Sequence, residues 1–450
     1  MPQVSPARKI AFEILVQVEA GRAFAADLLE APKVSALSEV DRALANEIVM
    51  GVLRWRGEID FRLERLSGKR IGSFDAEVVT ALRMGVYQIA FLERVPKSAA
   101  VNESVELAKL ARKRSAAGLV NAVLRKCEPS PIQPEPSDAS RLSEEALASV
   151  KRAVPTWLLN RWETNYGREA AASMAWASTQ IPSTTLRITS LSHDAAVTQS
   201  KLEEKGIKVR EGRYAAGALV VERGKGMNSA AARELCLAIQ DEASQLVPAL
   251  LAVRPGMRVL DLCAAPGVKT SLLADAVGGG SVVACDISKA RLRTMLRLLP
   301  SFTANLKAIQ VVQLDASQEL PFRHGFACIL VDAPCSGTGT LARNPEIKWR
   351  LRPEDLDRLS RLQATILGNA LGLLAVGGCL VYATCSLEPE ENEKVVESVL
   401  PTFPKCRLLR RQELSEEFPR LISLFDSRGY FHTRPDRDGM DGFFAAVITR

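Results

Sequence analysis

From Gly256 onward the chain repeats one pattern: a short apolar run, a polar turn, then a stretch with helical spacing. The apolar runs are Arg258-Val259-Leu260-Asp261-Leu262, Val282-Val283-Ala284-Cys285, Ile309-Gln310-Val311-Val312, Cys328-Ile329-Leu330-Val331 and Cys379-Leu380-Val381-Tyr382. Near-continuous apolar strands alternating with helices predict a parallel sheet covered on both faces. In such a sheet, ligands bind outside the carboxyl ends of the strands. Each polar motif of this half sits at such an end. We take the α/β domain as residues 241–450.

The first 127 residues read differently. Apolar positions recur at helical spacing at Ile10, Ala11, Ile14, Leu15 and Val18, and again at Val101, Val105, Ala108 and Ala111, with no strand-like alternation. An all-α domain over 1–127 is the expectation. Four prolines between Pro129 and Pro136 forbid a helix and mark a semi-rigid linker over 128–142. Residues 143–240 mix helical segments (Pro155 to Trp162, Glu169 to Ser178) with strand-like Thr185-Leu186-Arg187-Ile188 and Ala218-Leu219-Val220-Val221. They read as a small α+β connecting module. At 450 residues the chain is long enough for such a multidomain layout.

No run of about 20 uncharged apolar residues appears, and the N-terminus lacks a signal core, so a cytoplasmic protein without a membrane partner is expected. Nine cysteines, an odd number without paired metal spacing, fit free thiols in a reducing compartment and no metal site. Nothing demands more than a monomer. The net charge is +7, and residues 1–127 hold 20 Lys/Arg against 15 Asp/Glu, five of those seven charges. That bias is compatible with phosphate binding without establishing it.

The turn after the first strand, Leu260-Asp261-Leu262-Cys263-Ala264-Ala265-Pro266-Gly267-Val268-Lys269-Thr270, is rich in small residues and enters a helix. Small residues admit a ligand close to the backbone, and a helix N-terminus points its N–H groups there. The next strand ends in Asp286, suited to ribose hydroxyls, and the one after is followed by Asp315, suited to an adenine amino group. Singly, each acid reads as well as a helix cap. Acids at successive strand ends after a small-residue turn point to a nucleoside site.

Leu330-Val331-Asp332-Ala333-Pro334-Cys335-Ser336-Gly337-Thr338-Gly339 closes the fourth strand and Ala383-Thr384-Cys385-Ser386-Leu387 the fifth. Two thiols at neighbouring strand ends suit methylation of cytosine carbon 5, which is unreactive until a thiolate adds to carbon 6. An acid near ring nitrogen N3, the position offered by Asp332, would stabilise the charge that develops. The bland alternative is a pair of buried, inert thiols, the reading given to Cys127, Cys236, Cys285, Cys328, Cys379 and Cys406. Cys263, on the small-residue loop, stays ambiguous.

The motifs LDLCAAPGVKT, DAPCSGTG, ATCSLEPEEN and DGFFAAVITR resemble, in order and spacing, those of the Sun (Fmu) family of RNA cytosine-C5 methyltransferases across roughly Gln240 to Arg450. The resemblance implies a Rossmann-like class I methyltransferase domain with S-adenosylmethionine as methyl donor. It makes Cys385 the nucleophile that attacks carbon 6 and Cys335 the residue that assists product release. It carries cofactor contacts to Cys263, Ala264, Ala265, Pro266, Gly267, Val268 and Lys269, and to Asp286, Asp315 and Asp332. Where the family usually has a second glycine, this chain has Val268, which predicts a loop tighter on space.

Val101-Asn102-Glu103-Ser104-Val105 and Leu119-Val120-Asn121-Ala122-Val123-Leu124-Arg125 resemble the helical NusB-type RNA-binding domain. The combination is similar to the bacterial RsmB type of the Sun family, which implies 16S ribosomal RNA of the small subunit as partner. A transfer RNA substrate, and a non-catalytic RNA-binding or assembly role, remain as rival readings. A DNA cytosine methyltransferase fits less well, since those use a Pro-Cys nucleophile and this chain has a separate Cys385.

Carbon 6 of a paired base is out of reach, so basic and aromatic residues should frame the catalytic edge. Arg343, Lys348, Trp349 and Arg350 are candidates, against the alternative of a solvated loop with a core tryptophan. Arg112-Lys113-Arg114 reads as an exposed helix face.

Overall fold

The computed structural model describes residues 4–129, 142–192, 194–223 and 229–450. Most of the proline-rich stretch expected as a linker lies outside the described residues. Two compact units emerge: one is the chain up to Ile181 together with Leu341–Leu351, the other Pro182–Thr340 together with Arg352–Arg450. No described helix is long and apolar enough to cross a membrane.

The first unit is helical. Its longer helices are Pro6–Glu19, Glu39–Ser67, Ala76–Phe91, Lys97–Leu110 and Ala117–Arg125. Ser38 starts the longest by accepting a hydrogen bond from the Asp41 amide, and Gly68, in left-handed backbone at φ 66°, stops it. Ala76–Phe91 is buried without interruption from Val78 to Ala90. A helix that is apolar all round sits in the middle of a bundle. Its one buried cation, Arg83, is answered by both oxygens of Asp60, at 2.7 and 2.8 Å.

Three further helices, Glu144–Arg152, Thr156–Tyr166 and Arg168–Ala177, belong to this unit. The boundary between the two compact units, near Ile181, falls within the stretch 143–240 read as one α+β module. Arg152 is one contact within the first unit: its guanidinium reaches Glu58 at 2.5 Å and lies 4.2 Å from the ring of Phe61, both on the long helix.

The second unit opens with a four-stranded antiparallel sheet: β1 (Thr185–Ile188), β2 (Lys208–Glu211), β3 (Ala218–Arg223) and β4 (Leu237–Ile239), in the order β2-β3-β1-β4. Next comes the larger sheet, of β5 (Arg258–Leu262), β6 (Ser281–Asp286), β7 (Ile309–Gln313), β8 (Phe326–Asp332), β9 (Leu374–Thr384), β10 (Arg407–Leu408), β11 (Tyr430–His432) and β12 (Phe444–Thr449). Its order is β10-β12-β9-β8-β5-β6-β7, with β11 paired to β12.

The five strands read from the sequence form the expected parallel sheet, and antiparallel strands extend it at one edge. β5 to β9 are parallel, but β12 lies antiparallel to β9, and β10 and β11 antiparallel to β12. An apolar run such as Phe444–Thr449 serves either direction equally well, so composition carries no signal of polarity.

Period-two alternation separates the two faces. Val259, Leu330, Val381, Ala445 and Val447 pack into one core layer. Leu260, Leu262, Ile329, Val331, Leu380 and Tyr382 pack into the other. Each fully buried aliphatic side chain contributes roughly 2 kcal/mol over exposure. Sliding one strand by a residue would exchange its layers, so register, and with it the position of each strand end, is firmly held.

Candidate active site

β5 ends at Leu262, and the chain turns at once through Cys263, at φ 62°. Gly267, at φ 97°, then leads into the helix Val268–Ala276. A side chain at Gly267 would be strained in that region, and its Cβ would meet Met295 Cγ at 2.7 Å. Val268 is the first helical residue and is not among the described residues with positive φ. A second glycine has no conformational work to do there.

The loop is fastened from the next strand. Ala264 N donates to Cys285 O at 2.8 Å and Ala265 N to Asp286 Oδ2 at 3.3 Å. Arg291 pairs with Asp286 at 3.4 Å and also donates to the carbonyl of Ala265.

A pocket of about 180 Å³ opens beside this loop, lined by Cys263, Asp286, Asp315 and Pro334, with Leu314 and Ile366 among its apolar walls. Asp286 Oδ1 also accepts from Ser288 N at 2.8 Å. Asp315 accepts from the hydroxyl and amide of Ser317, and these bonds hold its carboxyl below the usual carboxylate range. Of the residues expected to contact a cofactor, Cys263, Asp286 and Asp315 line the pocket. Ala264, Ala265, Pro266, Gly267 and Val268 form the turn beside it.

Lys269 and Asp332, also expected at the cofactor, are not among the residues lining that pocket. Lys269 Nζ meets Asp332 Oδ2 at 2.7 Å and lies 5.2 Å from the ring of Phe443. Burial works against the ammonium, yet the Asp332 carboxylate outweighs it and raises the Lys269 pKa. The site also has an acid that sequence reading passed over. Asp261, inside β5, is wholly buried; Thr270 Oγ1 donates to its Oδ2 at 2.6 Å, while Oδ1 has no partner. Burial pushes its carboxyl up to about 7.

The sign of the Asp261 effect on stability follows. Between the ordinary value of 3.8 and about 7, the unfolded chain releases the proton and the folded chain keeps it. Stability is therefore full below 3.8 and is lost as pH rises through that window, at roughly 1.4 kcal/mol per pH unit. Asp261→Asn removes the titration. Its melting temperature is expected to gain on the unmodified chain progressively from pH 5 to pH 7.5, and a gap independent of pH would contradict the assignment.

The reacting side is built by register. Asp332, the last residue of β8, stands opposite Ala383 of β9. The turns that follow bring Cys335 Sγ to 3.4 Å from Cys385 Sγ. Both cysteines are partly exposed and neither is in a disulfide. The hydrogen bond with the Cys385 sulfur, then burial, then the charges of Cys385 and Glu391 raise the Cys335 thiol well above its usual range. Burial likewise pushes Cys285 and Cys379 up to about 12 and Cys328 to about 11, as inert core thiols require.

Sequence reading also passed over the glutamate of ATCSLEPEEN. Glu391 is buried beneath the two turns and accepts from Ser336 and Ser386, each the neighbour of a cysteine. An acid in a charged run reads as solvated, and only its fixed spacing from Cys385 hinted otherwise.

The residues expected at an RNA surface require a correction. Leu341–Leu351 belongs to the helical unit. There Lys348 is buried and its ammonium donates to Arg54 O at 2.8 Å, while Trp349 Nε1 donates to Leu53 O at 2.7 Å. Arg56 lies 5.3 Å from the Trp349 ring centroid, and Arg350 donates to Val18 O at 2.9 Å. Arg343 is half-buried. Lys348, Trp349 and Arg350 thus fasten a chain segment to helix backbone, and the core-tryptophan alternative describes them better. In the other basic run, Arg112 and Arg114 are exposed, and Lys113 pairs with Asp75 at 2.9 Å.

Comparison with known proteins agrees with this architecture. Residues 248–449 match the family model for 16S rRNA methyltransferase RsmB/F, residues 5–129 the NusB family, and residues 154–228 the ferredoxin-like domain of RsmF/B-like methyltransferases. The probable ribosomal RNA small subunit methyltransferase B of Bacillus subtilis is 31% identical over 98% of each chain. The Pseudomonas putida ribosomal RNA small subunit methyltransferase B is 32% identical over 94% of this chain and 99% of its own. The crystal structure of the protein PH0851 matches with a TM-score of 0.80 at 23% identity, covering 100% of this chain and 99% of that one, a likeness of fold.

Proposed function

The chain belongs to the ribosomal RNA small subunit methyltransferase B family, and from that premise we propose that it methylates carbon 5 of a cytosine in 16S ribosomal RNA through a covalent bond from Cys385 to carbon 6. Its cofactor is S-adenosylmethionine, which supplies a methyl group on a sulfonium. The pocket fits that molecule: two acids at successive strand ends for ribose and adenine, and apolar walls. Asp286 would hold the ribose hydroxyls, Asp315 the adenine amino group, and the Cys263–Lys269 turn the amino-acid portion.

On the RNA side, the target base leaves its stack so that carbon 6 meets Cys385. The sulfur forms its bond to carbon 6, and the 5,6 double-bond electrons become available at carbon 5, which takes the methyl. Asp332 would face the N3 edge, and the Lys269 ammonium paired with it would offset the negative charge that develops on the ring. Water takes the carbon 5 proton, the C–H pair restores the 5,6 double bond, and the sulfur–carbon pair leaves on the Cys385 sulfur, to which the Cys335 thiol supplies a proton to assist release. With this goes the reading of a cytoplasmic enzyme acting as a single chain.

One observation carries the proposal: two partly exposed sulfurs 3.4 Å apart at neighbouring strand ends, beside a pocket suited to a nucleoside. A NusB-type domain in the same chain favours ribosomal over transfer RNA. Incubation with methyl-labelled S-adenosylmethionine and unmodified 16S ribosomal RNA, followed by nucleoside digestion, is expected to yield labelled 5-methylcytosine. Label in another nucleoside, or none, would refute it.

A further inference from the structure

Two serines follow the two cysteines, and both answer to one carboxylate. Ser336 and Ser386 donate their hydroxyls to the same oxygen of Glu391, the Ser386 bond at 2.5 Å. The other oxygen accepts from Ser336 N at 2.8 Å and from Gln363 Nε2 at 2.9 Å. Four donors thus meet the four lone-pair positions a carboxylate offers. None of the four is a cation, and Glu391 is fully buried.

The donors come from three elements: the turn after β8, the turn after β9, and the helix Pro353–Gly372. The glutamate's own segment is anchored in turn. Tyr382 OH donates to Glu391 O at 2.6 Å, and the neighbouring Asn392 donates its Nδ2 to Ser386 O at 2.9 Å. A buried carboxylate is costly to desolvate unless its lone pairs are met, as all four are here.

We propose that Glu391 is the positioning residue of the two-cysteine site: its buried carboxylate locks the two thiol-bearing turns together and sets a fixed charge beneath the Cys335 turn. The inference rests on the reading in which Cys385 attacks and Cys335 assists release. The lock follows from the shared oxygen. Freeing either serine would let its cysteine drift, and the 3.4 Å sulfur contact depends on both turns. The second part follows from charge, since a fixed negative group beneath the Cys335 turn opposes a second one there. The charged or titratable groups concerned are Cys385, Glu391 and the Tyr382 phenol around Cys335, with the Lys269–Asp332 pair alongside Cys385.

Three readouts on the full-length protein test this: methyl transfer, the pH dependence of iodoacetamide alkylation of each cysteine by mass spectrometry, and the rate at which diamide oxidises Cys335 and Cys385 to a disulfide. Glu391→Gln keeps the shape and removes the charge. It is expected to lower kcat at least tenfold and to move the alkylation midpoint of Cys335 to lower pH. The Ser336→Ala/Ser386→Ala double variant keeps the charge and cuts the ties. It is expected to slow disulfide formation about tenfold without lowering the Cys335 midpoint, and it serves alone where Glu391→Gln does not fold. Retention of kcat within twofold in the variants would overturn the proposal, as would loss of kcat with both thiol readouts unchanged. The thiol readouts need no RNA. If they move as expected while the unmodified protein makes no 5-methylcytosine, the catalytic reading fails and the lock stands.

Discussion

Cys335→Ala is expected to accumulate a covalent complex with RNA that survives denaturing gel electrophoresis, while Cys385→Ala forms none and loses methyl transfer by at least about 10⁴-fold, as removal of a nucleophile generally does. The sulfur separation of 3.4 Å does not by itself say which cysteine attacks. The asymmetry lies in their surroundings. Cys335 is held as a thiol by its hydrogen bond to the Cys385 sulfur, by burial and by the Glu391 charge, and a protonated thiol is a poor nucleophile. Without Cys335 the Cys385 adduct still forms, but its release is unassisted, so the intermediate piles up. The gel, run with end-labelled 16S fragments, decides the roles: trapping by Cys385→Ala and not by Cys335→Ala would exchange them.

The second large effect is expected at Lys269. Its ammonium is joined to Asp332 at 2.7 Å, with side-chain exposures of 15% and 26%. Removing one partner of a well-buried pair costs about 3–5 kcal/mol, because the other charge is left without compensation. At this partial exposure, Lys269→Met is expected to cost about 2 kcal/mol. The effect on chemistry should be larger. Asp332 loses the group that orients it, and a cation disappears from beside the Cys385 sulfur, so single-turnover methyl transfer should fall about 100-fold, near 3 kcal/mol in barrier. If the two act as one unit, the Lys269→Met/Asp332→Asn double variant loses little more than the worse single variant. Full additivity of the two losses would show that they act independently.

Much of the larger sheet was legible from local pattern. The five apolar runs coincide with β5 to β9 within a few residues, and Asp286, Asp315, Asp332 and Cys385 fall at strand ends. That works because a strand buried on both faces takes few polar residues before it emerges, Asp261 on β5 being an exception. Other parts were beyond local pattern. The stretch over Arg343–Arg350 offers the same residues whether it meets RNA or a helix backbone, and only its packing on Arg54, Leu53 and Val18 separates the two. The helices of 144–177 fall in the first compact unit, and the Arg152–Glu58 pair, 94 residues apart in sequence, is a contact that local pattern does not show.

By itself, the sequence determined the alternation of strand and helix, the turns that needed small residues, and the chemical identity of the thiols and acids on offer. These follow from side-chain period, backbone freedom and functional groups, all local properties. Only the tertiary structure decided the full strand order, that β12 runs against β9, and that Glu391 gathers two serines into one buried cluster. Strand order and burial arise from which faces find partners across the whole chain, and 50 residues separate two sulfurs that end 3.4 Å apart.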